Sequence, residues 1–185
     1  MRTRDTLAAI TIGSPTRLDA AVELCPYNPQ WPLQFKREAA KIRAALGGGG
    51  LDVQHMGSTS VPGLAAKPII DILLIVGDSG DEPAYLPPLE RAGYSLRIRE
   101  PQWHEHRMLC GETPSTHLHV YSKDCPEIAR ILAFRDRLRC DPAERALYAA
   151  VKRDLAMRTW AFVQDYADAK SAVIESIIQR ACAAA

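Results

Sequence analysis

Aromatic residues and net charge are both scarce in this sequence: Phe, Trp and Tyr make up 6% of the 185 residues, and 23 basic residues face 22 acidic ones. A protein that grips duplex nucleic acid carries a strongly basic face, so a formal charge of +1 argues against duplex DNA or RNA as a partner, while leaving room for a local pocket. Long apolar runs are missing too. Nowhere do eighteen apolar residues follow one another, and the first twenty residues hold Arg2, Arg4 and Arg17 without a continuous apolar stretch. Neither a membrane span nor a secretory signal is therefore expected. The five cysteines, Cys25, Cys110, Cys125, Cys140 and Cys182, are odd in number and contain no C-x-x-C pair. That pattern argues against a disulfide framework or a zinc knuckle and for reduced thiols in a cytoplasmic protein. Internal repeats and low-complexity linkers are absent as well.

What is present is ordinary globular material, with 47% apolar and 24% charged residues. A chain of this length fits one domain and removes roughly 70% of its unfolded surface from water. Residues 1–21 lack a sustained period and read as a loosely ordered arm, and 22–185 as a single domain. Within that domain, Ala21–Leu24 is a short strand candidate. Asn28 suits an N-cap and Pro29 a first helical position, for a helix that presents Trp31, Phe35, Ile42 and Leu46 and stops at the glycine run 47–50. Strands are expected over 51–56 and over Ile69–Val76, the latter a nearly unbroken apolar run of the kind covered on both faces. A helix closes over 87–93, and further strands follow at 94–99, 105–110 and 117–121. The rest reads as helical. Pro126 opens one helix, Asp141 with Pro142 and Glu144 caps the next, and Val163, Tyr166, Val173, Ile174 and Ile177 share a face of the last. The fold class is α/β (α+β): a mixed β-sheet flanked by helices, with a helical C-terminal section.

Chemistry concentrates between His55 and Ile72. Gly57 at a strand end lets the backbone approach a bulky anion, since no Cβ stands in the way. Ser58, Thr59 and Ser60 offer hydroxyls and successive N–H donors of the kind that cradle phosphate. Asp71 interrupts the apolar strand. Burying a lone charge costs several kcal/mol, so this carboxylate has to meet a cation, a set of donors or water in a cleft. Downstream, His117 and His119 alternate with Leu118 and Val120 and so share one face of a strand. His104 and His106 are placed on a loop nearby. Lys67 and Arg135 are candidate phosphate partners, Trp103 could stack on a base, and Arg137, Arg139, Lys152 and Arg153 read as a solvated face.

A Gly-Ser turn leading to an aspartate in a hydrophobic strand resembles the signature of the DNA polymerase beta-type nucleotidyltransferases. Four stretches in the same order, Tyr27-Asn28-Pro29-x-Trp31-Pro32, Gly57 through Ile72, His117-Leu118-His119-Val120 and Phe134-Arg135-Asp136-x-Leu138-Arg139, resemble the GrpB-like family more specifically. The resemblance implies a nucleotidyltransferase core followed by helices, a unit also found fused to dephospho-CoA kinase. It implies NTP as a substrate, a small-molecule acceptor and a divalent metal. Gly57, Ser58, Thr59, Ser60, Lys67 and Arg135 would contact the nucleotide, and Asp71, Ser58 and Lys67 would carry the chemistry. One departure bears on mechanism: where the superfamily places a second strand carboxylate, this chain has Leu73. A second metal ligand has to come from elsewhere, with Glu105, His117 and His119 as candidates. Magnesium prefers oxygen ligands, so ligation by histidine implies a transition metal. The expected function is a metal-dependent nucleotidyltransferase or related NTP-handling enzyme. The alternative that Leu73 motivates is a non-catalytic module that binds a nucleotide or a protein.

Overall fold

A computed structural model describes residues 3–18, 20–48 and 51–183. Seven helices and five strands alternate along them: α1 (Arg4–Ile10), α2 (Trp31–Ala45), β1 (Asp52–Met56), β2 (Ile70–Val76), α3 (Glu82–Arg91), β3 (Tyr94–Glu100), β4 (His106–Gly111), β5 (Thr116–Ser122), α4 (Pro126–Cys140), α5 (Pro142–Ala156), α6 (Val163–Asp168) and α7 (Ser171–Ala183). The strands form one mixed sheet in the order β1-β2-β5-β4-β3. β2 and β5 run parallel, whereas the other three pairings are antiparallel.

Strand alternation divides this sheet into an apolar face and a chemical face. On the first, Ile70, Ile72 and Leu74 of β2 meet Leu118 and Val120 of β5 and Leu109 of β4, covered by Trp31, Ala39 and Ile42 of α2 and by Tyr85 and Leu89 of α3. Each fully buried leucine or isoleucine contributes roughly 1.5–3 kcal/mol, so this layer fixes the register of the whole sheet. The register then decides the second face. Asp71 lies beside His117 and Leu73 beside His119 across the parallel pair. Cys110 and Met108 of β4 lie opposite the same two histidines, and Glu100 of β3 opposite His106.

The C-terminal helices roof this second face. Val61 and Leu64, just after a 3-10 turn at Ser58–Ser60, pack with Leu138, Tyr148 and Ile177 of α4, α5 and α7. Asp141 caps α5 as its sequence suggests, accepting from the N–H groups of Ala143 and Glu144. Glu144 does not close the box; it forms a bidentate pair with Arg180 of α7.

Four local expectations are corrected. Ala21–Leu24 forms no strand, and pairing there is limited to a bridge between Cys25 and Ala66, because Val22 and Leu24 turn instead to Leu155 and Tyr166 in a third apolar cluster. Helix α2 starts at Trp31, two residues beyond Pro29. The Asn28 side chain accepts from the Gln30 N–H and its carbonyl from Trp31, which makes the segment a lead-in turn. Of the glycine run, Gly47 and Gly48 take positive φ, and Gly49 and Gly50 lie outside the described residues. The last helix is broken, with α6 ending at Asp168 and α7 starting at Ser171. The segment expected to be a loose arm also carries structure. Helix α1 forms there, Thr11 bridges to Ile98 and Arg17 to Phe162, so the arm runs from the β3 edge to the roof.

His55 on β1 is nearly sealed, stacked on Phe35 of α2 with ring centroids 4.7 Å apart. Burial, with help from Arg139 and Arg135 and against the pull of Asp71, lowers its pKa from 6.5 to about 4. Between those values the unfolded chain binds more protons than the folded one, so this side chain subtracts stability as the pH falls from 6.5 toward 4. Relative to His55→Gln, which has no such proton to bind, the wild type loses about 3 kcal/mol between pH 7 and pH 4, measurable by urea denaturation at both values.

Candidate active site

Asp71, His117 and His119 converge on the chemical face, each offering one ligand atom, with all three atoms within 4.8 Å of one another. His117 Nδ1 lies 3.4 Å from Asp71 Oδ1, and the two side chains are 29% and 27% exposed, recessed but open to a cleft. Burial works against the charge on Asp71, yet the hydrogen bond and charge of His117, with His119 and Lys170 behind it, hold its carboxyl below the usual range. Burial likewise opposes a proton on His117, but Asp71 and Cys110 overcome it and push its pKa up to about 9. His119 goes the other way, lowered to about 3 by burial and by His106, and is neutral at pH 7. Its Nδ1 meets His106 Nε2 at 3.0 Å, and His106 Nδ1 meets the Glu100 carboxylate at 2.7 Å.

The Gly-Ser turn closes one wall around the same carboxylate. Gly57 has φ 67° and ψ −173°, a conformation that only glycine adopts readily. A Cβ there would lie 2.2 Å from Asp71 Oδ2, so glycine is required twice over. Ser58 Oγ accepts from Lys152 Nζ at 2.9 Å, and the same ammonium donates to the Ala65 carbonyl at 2.6 Å. Lys67 and Lys170 complete a trio of amines, standing 5.5 and 4.5 Å from the centre of the Tyr166 ring. Burial and mutual repulsion lower Lys152 to about 7 and Lys170 to about 8, with Asp71 pulling upward on both. Lys67 is lowered by burial as well. These groups line one cavity of about 630 Å³. The buried Tyr166 hydroxyl beside them has no hydrogen-bond partner among the described residues.

The other residues singled out from sequence are placed elsewhere. The Thr59 hydroxyl is spent on His55 and the Ile69 carbonyl, and that of Ser60 on the Gly57 carbonyl, so both fold the turn. Arg135 lies outside the cleft, chelating Asp136 and donating to Gln54 and the His55 carbonyl. Glu105 sits exposed on the β3–β4 turn with its carboxylate against Gly80, outside the cavity lining and the ligand cluster that include Asp71. His106, which the sequence left between a loop and the strand expected at 105–110, opens β4. Lys152 is the plainest correction: it is 3% exposed rather than solvated. Its spacing with Tyr148 and Leu155, i−4 and i+3, marked it as part of the buried stripe of α5. Lys170 carried no signal in the sequence, because the helix break that delivers it was not foreseen. Glu100 lies one residue past the strand expected at 94–99 and was not singled out.

Leu73, fully buried, leaves β2 with one carboxylate on this face. A pair of magnesium ions bridged by two strand carboxylates does not fit this residue set. A single ion held by one carboxylate and two imidazoles does.

The sequence model of the family described as GrpB protein matches residues 21–180. The chain belongs to the GrpB family. Among its relatives, a UPF0157 protein of Halalkalibacterium halodurans is 53% identical over 97% of this chain and 92% of that one. One from Streptomyces coelicolor is 44% identical over 99% and 95%. A dephospho-CoA kinase of Mycolicibacterium paratuberculosis is 30% identical over 88% of this chain, which matches 46% of that longer protein. Of solved structures, the conserved protein GrpB from Enterococcus faecalis superposes with a TM-score of 0.75 at 37% identity, over 86% of this chain and 96% of that one. The Cid1 poly(U) polymerase, solved with Mg and 3'-dATP, gives 0.50 at 14% identity, over 70% and 42%. The fold of this GrpB-family chain is thus nucleotidyltransferase-like. No described helix is long and apolar enough to cross a membrane.

Two outcomes follow from the cleft. Gly57→Ala forces the Asp71 carboxylate aside, and its strain and overpacking cost on the order of 1–3 kcal/mol in a urea melt. Sulfate, whose charge is constant near neutrality, binds through protonated amines. Its affinity, followed by calorimetry, therefore declines as the pH rises from 7 to 9 through the lysine pKa values of about 7 and 8.

Proposed function

We propose that this chain is a metal-dependent nucleotidyltransferase, transferring a nucleoside monophosphate from an NTP to a small-molecule acceptor. The observation that carries the reading is the division of one cleft into two parts. Asp71, His117 and His119 form a ligand set for a divalent ion on the sheet, while Lys67, Lys152 and Lys170 line the same cavity as Ser58, with Lys152 donating to the Ser58 hydroxyl. A polyphosphate needs both parts. The amines neutralise its charge, and a cation held by Asp71, His117 and His119 would supply further positive charge at its oxygens. The Cid1 polymerase, which shares the fold, was solved with ATP analogue and Mg, and this is consistent with a nucleotide in the same cleft.

In this reading Ser58, held by Lys152, and the backbone of the Gly57 turn bind the outer phosphates. The ion, when bound, draws charge from the phosphoryl oxygens. An acceptor hydroxyl, amine or carboxylate forms the new bond to the α-phosphorus, the bond to the bridging oxygen breaks, and pyrophosphate leaves against Lys67 and Lys170. A hydroxyl or amine acceptor gives its proton to solvent at the cleft mouth. Catalysis is mainly positioning and charge neutralisation. Trp103, 39% exposed on the rim and edge-on to Tyr121, offers a surface on which a base can stack.

Leu73 supports a second reading, in which the chain binds a nucleotide without turning it over. One assay separates the two. Protein incubated with each NTP, a divalent ion and a pool of metabolites releases pyrophosphate under the first reading, and Asp71→Asn lowers that release by about a hundredfold or more. Nucleotide binding in calorimetry with no pyrophosphate from any NTP favours the second.

A further inference from the structure

Behind His119 the sheet carries two polar side chains that the nucleotidyl-transfer reading does not use. Glu100 ends β3, His106 opens β4, and both are nearly sealed, with 6% and 5% exposure. Their separations, 2.7 Å from carboxylate to His106 Nδ1 and 3.0 Å from His106 Nε2 to His119 Nδ1, make one continuous chain of hydrogen bonds leading to the ligand cluster. Aromatic rings hold it in place. Tyr121 lies parallel to His106 at 4.8 Å, and Trp103 stands edge-on at 5.6 Å.

We infer that Glu100 and His106 are positioning residues that fix His119 as a ligand, giving Asp71, His117 and His119 a single site for a transition-metal ion in preference to magnesium. The inference rests on the proposed metal-dependent reading of the cleft. Its physical basis is a fixed direction of hydrogen atoms. A carboxylate only accepts, so Glu100 takes the hydrogen on His106 Nδ1. The lone pair on His106 Nε2 then takes the hydrogen on His119 Nδ1, and the lone pair of His119 is left on Nε2. A metal and a hydrogen on that nitrogen exclude each other, so the bound state is the one in which both hydrogens point away from the ion. Metal-bound histidines are oriented in this way by carboxylates or carbonyls, and loss of such a partner typically costs 10–100-fold in metal affinity. One carboxylate oxygen and two imidazoles also suit ions such as cobalt, zinc or manganese better than magnesium, which favours an all-oxygen octahedron and keeps most of its water.

The test uses the full chain, stripped with a chelator and titrated without nucleotide. Co²⁺ should bind at one equivalent with a visible absorption band, and Mg²⁺ at equal concentration should not displace it. His106→Phe, which keeps a ring against Tyr121 and Trp103, should weaken Co²⁺ binding by about 10- to 100-fold and shift the band. Glu100→Gln keeps an acceptor oxygen and should stay near the wild type, whereas Glu100→Leu should follow His106→Phe. This pair carries the test should His106→Phe fail to fold. Magnesium binding as tight as cobalt overturns the inference, and so does an unchanged cobalt affinity and band in both His106→Phe and Glu100→Leu. Because no NTP is present, these outcomes are independent of pyrophosphate release. A magnesium-driven transferase with an inert relay sinks this inference alone, and a cobalt site without turnover sinks only the transferase.

Discussion

A carboxylate placed on the inner surface of a sheet has to be compensated, and most of the polar architecture here answers that requirement. Asp71 is carried by a strand whose other face is sealed by isoleucine and leucine, so it cannot leave its position without disturbing the main core. The parallel partner strand brings His117 beside it, and the antiparallel neighbour adds Cys110 behind His117. Amines arrive from three separate parts of the chain: the loop before β2, the middle of α5 and the gap between α6 and α7. Together they balance one acid with a surplus of positive charge. A surplus of that sign, in a recess, suits an anionic ligand better than it suits folding, since three amines, one buried and two partly so, repel one another and burial costs each of them.

The sheet-and-helix plan was readable because it follows from strong periodic patterns. Ile69 to Val76 could only be a strand covered on both faces, and alternation at His117–Val120 already put both histidines on one side. That Asp71 and His117 lie 3.4 Å apart follows from the parallel pairing of their strands, which alternation alone does not give. The losses came where local composition and tertiary role diverge. Thr59 and Ser60 belong to a phosphate-like sequence, yet a turn this tight needs their hydroxyls for itself. Arg135 carries a charge suited to phosphate, but it lies next to Asp136 and satisfies it.

Lys152 shows the limit of reading charge as exposure. A long amine at a core-facing position of an amphipathic helix either extends to the surface along its methylenes or finds acceptors inside. This one finds Ser58 and the Ala65 carbonyl, a choice that depends on a loop nearly ninety residues earlier in the chain. Lys170 depends on helix breakage at Ala169, which helical spacing in Val163–Ile177 conceals. Contacts of that kind are set by three-dimensional closure and leave little imprint on neighbouring residues.

The stretch from Thr11 to Arg17 has a consequence for how the molecule is protected. β3 is the outermost strand on its side, and its free backbone groups would otherwise template pairing with another chain. Thr11 bridges to Ile98, and the Ile12 N–H donates to the Arg97 carbonyl at 2.8 Å. The same few residues, through Pro15 and Thr16, also form part of the cavity wall. One short segment thus serves as both a seal against self-association and a rim of the recess, so any ligand large enough to lift it would at the same moment uncover a sticky edge.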